Sequence, residues 1–139
     1  MIVPVLDASL FVSSISPNEV LHGVARAALA QFSPATPFVV PELFRVEVIA
    51  ALARRREPDS FIDSVVAYLS TERFLIIPMD AALADRAVEI ARSTRLRAYD
   101  SVYVALSLTR SAPLLTLDAE VADRVRASFP GARVIPGDT

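Results

Sequence analysis

Apolar residues along the chain fall into short runs that alternate with longer segments of helical periodicity. The short runs have the length and the bounding Pro or charged residues of buried strands. They are IVPVL at 2–6, FVV at 38–40, FLII at 74–77, LLTL at 114–117 and ARVI at 132–135. The segments between them predict helices over 18–31, 42–56, 59–71, 80–95, 99–110 and 119–128.

Strands that alternate with helices are typical of an α/β fold, in which a parallel sheet is covered by helices on both faces. The length of 139 residues predicts a single domain, 1–139, that is large enough to bury its own core. Ligands of such folds bind beyond the carboxyl ends of the strands. Candidate chemistry is therefore expected where the strands end.

Composition narrows the class of protein. Hydrophobic residues make up 53% of the chain and charged residues 22%, which excludes a disordered chain. The absence of cysteine excludes a disulfide framework, a thiolate zinc site and a cysteine nucleophile. With no segment resembling a signal peptide or a membrane helix, we expect a cytoplasmic protein without membrane association.

The formal net charge of −2 does not by itself indicate a nucleic-acid-binding protein. All 14 basic residues are Arg. Codon bias in a GC-rich genome would produce this usage. Arg also suits bidentate contacts with phosphate, and the two explanations are compatible.

Two strands are followed by an aspartate. Asp7 comes directly after IVPVL, and Asp118 follows LLTL. Each could instead be the N-cap of the segment after it, because Asp is a favoured cap. Ser9 and Thr116 each lie two residues from one of these acids. Their hydroxyls could orient a carboxylate or a water molecule, or satisfy local backbone groups.

Glu47 interrupts the apolar stripe of its predicted helix. A buried carboxylate is costly unless it is paired or binds a metal. An ion pair with an Arg from another element is the alternative. The residues three and four positions away are all apolar: Leu43, Phe44, Ala50 and Ala51.

Asp100 also has apolar helical neighbours, Tyr103 and Val104, although it could be a cap or first-turn acid. Tyr99 and Tyr103 are predicted to be core residues whose hydroxyls reach the surface. One explanation covers all four acids: an oxygen-ligand site for Mg²⁺ or Mn²⁺, whose charge offsets the repulsion between the carboxylates.

Four segments carry a resemblance to a known family. VLDASLFV, PELFRVEVIAAL, YDSVYVAL and LLTLD, in this order, resemble the PIN-domain nucleases and in particular the VapC-type toxins of toxin–antitoxin pairs. The resemblance implies a three-layer α/β/α fold with a mostly parallel five-stranded sheet. It also implies Mg²⁺- or Mn²⁺-dependent cleavage of RNA by the acids Asp7, Glu47, Asp100 and Asp118, with Ser9 at a hydroxyl position often found in the family.

The chain departs from the family pattern at two places. Ala50 stands where many relatives carry Asn, and Glu120 or Asp123 stands where many carry a further Asp or Asn. The fourth metal ligand could therefore be Asp118, Glu120 or Asp123. Whether the site holds one metal ion or two is open as well.

The mean hydropathy of +0.45 is high for a chain of this size. More apolar surface than one small core needs often marks an interface. A well-filled core is the alternative. The resemblance implies a homodimer and a cognate antitoxin that packs on the N-terminal helices. The apolar faces of helices 18–31 and 42–56 include Val20, Val24, Leu29, Leu43, Val46 and Ile49.

Two rival functions follow from the same pattern. A catalytically weak PIN-like module would bind RNA or protein without cutting. A receiver or phosphatase domain also places Asp at strand ends, but the former needs a Lys, which the chain lacks, and the latter a second Asp where Ser9 stands. A mechanism based on histidine is not expected, because His22 is the only histidine and is predicted to lie on the surface.

Overall fold

A computed structural model of the chain describes residues 2–137. Strands and helices alternate along it much as the apolar pattern predicts. The strands are β1 (Val5–Leu6), β2 (Phe38–Pro41), β3 (Phe74–Ile77), β4 (Leu114–Leu115) and β5 (Val134–Ile135). The helices are α1 (Ala8–Ser14), α2 (His22–Leu29), α3 (Leu43–Arg54), α4 (Asp59–Leu69), α5 (Ala81–Thr94), α6 (Ala98–Thr109) and α7 (Ala119–Ser128).

The five strands form one sheet in the order β3-β2-β1-β4-β5, and all four pairings are parallel. Helix α1 contacts α2 and α3, α3 contacts α4, and α5 contacts α6 and α7. The predicted three-layer α/β/α fold is confirmed. No helix within residues 2–137 has the length and apolar character needed to cross a membrane.

The order of the strands reverses between β1 and β4. From β1 the chain builds outward through β2 to β3, then returns to place β4 and β5 on the other side of β1. A reversal of this kind leaves a crevice outside the carboxyl ends of the two strands that flank it. β1 and β4 are the strands that lead to Asp7 and Asp118.

An aromatic cluster fixes α1 against α3 and the sheet. The ring of Phe11 lies 5.6 Å from the ring of Phe44 and 5.6 Å from that of Phe74. Phe11 is one helical turn after Asp7, and Phe44 is nearly one turn before Glu47. This packing therefore sets the distance between the two helices that carry these acids.

Several local predictions need correction. The strand predicted over 2–6 pairs regularly only at Val5–Leu6, since Pro4 has no N–H to donate to the sheet. LLTL is likewise a strand only over Leu114–Leu115. The segment after Asp7, expected only as a turn, is the helix α1.

The helix predicted over 18–31 begins only at His22, because the preceding residues form tight turns. An ion pair of 2.6 Å between Arg55 and Glu19 holds these turns against the end of α3. His22 is half-buried, and its Nδ1 lies 2.8 Å from the carbonyl oxygen of Ser13. It therefore links α2 to α1 and is not a plain surface residue.

Candidate active site

Four carboxylates line one cavity of about 780 Å³ beyond the ends of β1 and β4. They are Asp7, Glu47, Asp100 and Asp118, the same four that the sequence predicts. Each comes from a different helix: the N-caps of α1 and α7, the middle of α3 and the first turn of α6. The rest of the wall is mainly apolar, with three arginines, Arg54, Arg55 and Arg97.

Asp7 is the most deeply buried of the four, with 7% of its surface exposed. Its main-chain N–H donates to Leu115 O on β4 at 2.9 Å, which fixes the backbone to the sheet. Its Oδ2 accepts hydrogen bonds from Thr116 Oγ1 at 2.6 Å and from Ser9 Oγ at 2.9 Å. Both hydroxyls singled out in the sequence thus bind the same carboxylate.

Thr116 connects this carboxylate to the next strand end. Its Oγ1 also accepts a hydrogen bond of 3.1 Å from the main-chain N–H of Asp118. Asp118 Oδ1 in turn accepts from the N–H groups of Glu120 and Val121, so this acid does cap α7. Capping uses Oδ1, whereas Oδ2 faces the cavity. Asp118 therefore caps α7 and can still be a candidate metal ligand.

Glu47 is half-buried, and its Oε1 accepts a hydrogen bond of 2.7 Å from the hydroxyl of Tyr103. Within residues 2–137 it forms no ion pair with an Arg, so that alternative is not what the structure shows. Tyr103 is a core residue, as predicted, but its hydroxyl binds Glu47 and does not reach the surface, since only 2% of Tyr103 is exposed. Tyr99 is not a core residue, because 60% of it is exposed at the rim of the cavity.

Arg97 bridges the other two acids. Its Nε donates to Asp100 Oδ2 at 3.0 Å, and its Nη2 donates to Asp118 Oδ2 at 3.1 Å. The apolar pattern and the acidic motifs of the sequence do not point to this residue. It is the N-cap of α6 and lies three residues before Asp100, a spacing at which opposite charges can meet, so the signal was present.

The acids disturb one another electrostatically. Burial raises the pKa of Glu47 to about 7, with smaller contributions from the charges of Asp7 and Asp100 and an opposing one from the Tyr103 hydroxyl. Burial likewise raises the pKa of Asp7 against the lowering effect of its hydroxyl partners, and the charge of Asp100 adds to the rise. Burial also raises the pKa of Asp100, opposed by Arg97.

The oxygen-bearing side chains that line the cavity are of the chemical kind that binds a hard divalent cation. They offer carboxylate oxygens whose raised pKa values a nearby cation would lower, and no histidine lines the described cavity. In residues 2–137 no three acidic or histidine side chains are arranged closely enough to hold an ion as they stand. Of the alternative fourth ligands, Glu120 pairs with Arg124 at 2.7 Å, and neither it nor Asp123 lines the cavity.

Comparison with known proteins gives one family match and several structural matches. The family model of the PIN domain matches residues 5–127. No curated protein matches the chain in sequence.

Solved structures share the fold at low sequence identity. VapC20 of Mycobacterium tuberculosis, described as a sarcin-ricin loop cleaving toxin, matches with a TM-score of 0.70 and 19% identity over 92% of this chain and 97% of that one. A toxin–antitoxin complex from Klebsiella pneumoniae matches with a TM-score of 0.70 and 18% identity over 95% of each chain. VapBC2 of Rickettsia felis, bound to a promoter DNA fragment, matches with a TM-score of 0.68 and 12% identity over 95% of this chain and 96% of that one.

Proposed function

Because the chain belongs to the PIN-domain family, we propose that it is a metal-dependent endoribonuclease and the toxin of a toxin–antitoxin pair. One observation carries the proposal: four carboxylates from four helices converge on one cavity at the reversal point of a parallel sheet. Burying like charges together is unfavourable unless a cation joins them. Hydrolysis of a phosphodiester is a reaction that such an arrangement serves.

We assign the metal ligands to Asp7, Glu47, Asp100 and Asp118, with Mg²⁺ or Mn²⁺ as the ion. When bound, the ion supplies Lewis-acid stabilisation of phosphoryl charge and eases deprotonation of water. Ser9 and Thr116 act as positioning residues, because their hydroxyls hold Asp7 Oδ2 in a single orientation. Tyr103 does the same for Glu47 Oε1.

RNA would enter along the arginine-bearing side of the cavity. Arg54 lies seven residues, or about two helical turns, after Glu47 on α3, so the two side chains share a face of the helix. Arg54 is exposed at the cavity wall, where its guanidinium can bind a backbone phosphate near the cleaved one. Arg55 is held by Glu19 and Ser16 and shapes this end of the cavity.

The apolar wall of the cavity supports the proposal that an antitoxin binds there. Residues of α1, α2 and α3 form this wall, and some of them are open to solvent: Leu21 is 44% and Val46 70% exposed. A segment of antitoxin packed here would cover the acids as well as the apolar surface, and would inhibit cleavage. Structural matches to a Klebsiella pneumoniae toxin–antitoxin complex and to VapBC2 of Rickettsia felis support this partner. We also propose a homodimer and a cytoplasmic location. These two proposals rest on the sequence and on the family resemblance.

Purified protein incubated with structured and unstructured RNA tests the proposal. We expect cleavage with Mg²⁺ or Mn²⁺, none in EDTA, and recovery when the metal is returned. RNA binding without cleavage under every metal condition would favour the alternative, a catalytically weak PIN-like binding module.

A further inference from the structure

One guanidinium bridges two acids of the cavity, and it comes from the chain itself. Arg97 contacts Asp100 and Asp118 at 3.0 and 3.1 Å. Its hydrogen bond with Asp100, followed by the charges of both acids, raises the pKa of its guanidinium. The two acids are 14% and 26% exposed at their side chains, whereas Arg97 is 76% exposed. A solvent-exposed cation is therefore placed over two recessed anions.

We propose that Arg97 is the resident counter-ion of the metal-free site, and that a divalent cation takes its place on Asp100 and Asp118. This proposal rests on the proposed function, since it concerns the same acids. It goes further in assigning a role to a residue outside the acidic quartet. Arg97 is a positioning residue, which keeps the two carboxylates together until the metal binds.

Arg97 and a metal compete for the same atoms. The guanidinium uses Oδ2 of both aspartates, and Asp118 Oδ1 is already committed to the N–H groups at the start of α7. The oxygen of Asp118 that faces the cavity is therefore one that Arg97 already contacts, and a divalent cation bound to it would repel the guanidinium. A divalent ion carries twice the charge of the guanidinium and prefers oxygen ligands, so the two carboxylates attract it more strongly than they attract Arg97.

The exchange requires no change in the backbone. The carbonyl oxygen of Arg97 accepts hydrogen bonds from the N–H of Ser101 at 3.0 Å and from Ser101 Oγ at 2.9 Å. These bonds hold residue 97 at the start of α6 wherever its side chain lies. Exposed ion pairs contribute little to stability, so the side chain can leave the acids at low cost.

Direct binding of Mn²⁺, followed by electron paramagnetic resonance without RNA, tests the exchange. We compare the wild-type protein with Arg97→Gln, Arg97→Lys and the charge control Arg54→Gln. Arg54 lines the same cavity and carries the same charge, but makes no ion pair with the described acids. Loss of the competing contacts in Arg97→Gln should tighten Mn²⁺ binding roughly fivefold, and clearly more than in Arg54→Gln.

The Arg97→Lys variant distinguishes competition for the carboxylate oxygens from a general effect of positive charge near the site. Lys keeps the charge but has no planar fork with which to hold two carboxylates at once. We expect its Mn²⁺ affinity to approach that of Arg97→Gln. Thermal unfolding supplies a second measurement: Arg97→Gln should melt below the wild type in EDTA, and this difference should close in saturating Mn²⁺.

Equal Mn²⁺ affinity in the wild type and Arg97→Gln would overturn the proposal, as would an equal gain in Arg54→Gln or a lack of Mn²⁺ binding by every protein. RNA cleavage by the wild type, measured in parallel, tests the proposed function separately. Tighter Mn²⁺ binding by Arg97→Gln without any cleavage of RNA would support the exchange and contradict the nuclease. Cleavage of RNA without a gain in Mn²⁺ affinity would do the reverse.

Discussion

The hydroxyl of Tyr103 donates a 2.7 Å hydrogen bond to Oε1 of Glu47, which joins α6 to α3 beside the acidic cavity. The bond lowers the pKa of Glu47 against the larger, raising effect of burial. Asp100 lies three residues before Tyr103 on α6. One face of α6 therefore supplies both an acid of the cavity and the group that orients another.

Tyr103→Phe should shift the pH dependence of RNA cleavage upward. Without the hydroxyl the pKa of Glu47 rises further, so Glu47 carries its negative charge only at higher pH. The aromatic ring keeps its place in the core, because Tyr103 is only 2% exposed and Phe has the same shape. Rates measured from pH 6 to 9 should fall most at the acid end.

Tyr99→Phe is the matched control, since Tyr99 lies on the same helix but is 60% exposed. Its rate profile should overlay that of the wild type. Identical profiles for Tyr103→Phe and Tyr99→Phe would show that the Tyr103 hydroxyl does not set the charge of Glu47.

Glu47 should make the stability of the metal-free protein depend on pH. The ordinary pKa of this carboxyl is 4.5, and in the folded chain it is about 7, so the folded state holds the proton more tightly. Stability contributed by the protonated form is complete below pH 4.5 and is lost as the pH rises through about 7. Denaturant unfolding in EDTA should show this loss, and Glu47→Gln should reduce it. Part of the loss should remain, because the pKa values of Asp7 and Asp100 are also raised.

Glu42→Gln provides the comparison for this measurement, because Glu42 is an exposed acid at the start of the same helix. The slope of stability against pH should be the same in this variant and in the wild type. If the slope of stability against pH is the same in Glu47→Gln as in the wild type, the titrating group is not Glu47.

The fourth acid can be identified by substitution. Asp118→Asn should slow cleavage by at least roughly 10- to 100-fold. Replacing a residue that only supports a metal ligand already has an effect of that size, and Asp118 is assigned as a ligand itself. Because Asn is as good an N-cap as Asp, α7 should remain folded. Glu120→Gln and Asp123→Asn should retain wild-type rates, since neither side chain lines the cavity. A larger loss in either of these than in Asp118→Asn would reassign the ligand.

Assembly can be tested by light scattering. Val20 and Val46 are 95% and 70% exposed, and both belong to the apolar faces that the sequence predicts for helices 18–31 and 42–56. We expect a mass of about twice 15.0 kDa at tens of micromolar. A strict monomer at that concentration would contradict the dimer and leave the site unaffected, because all four acids belong to one chain.

Much of the fold and the four acids could be predicted because their signals are local in sequence. An apolar run predicts a buried strand wherever it occurs, and Glu47 stands out because its helical neighbours are all apolar. The helix α1 was missed because its seven residues, Ala8–Ser14, are too few to show a clear period.

Contacts between distant segments could not be predicted in the same way. Thr116 binds Asp7 across 109 positions and Tyr103 binds Glu47 across 56, so both pairs exist only once the sheet is assembled. Tyr99 and Tyr103 are four positions apart and so lie on the same face of α6, and the sequence does not show that Tyr99 lies at the rim of a cavity. Their opposite exposures are set by tertiary packing.

Single-turnover cleavage of RNA tests the central claim most directly. Asp7→Asn and Asp100→Asn should abolish the Mn²⁺-dependent rate while the circular dichroism spectrum of the fold is kept. Asp63→Asn, an exposed carboxylate on α4 outside the cavity, should cleave at the wild-type rate. Wild-type rates in Asp7→Asn and Asp100→Asn, or undiminished wild-type cleavage in EDTA, would contradict a metal-dependent site built from these acids.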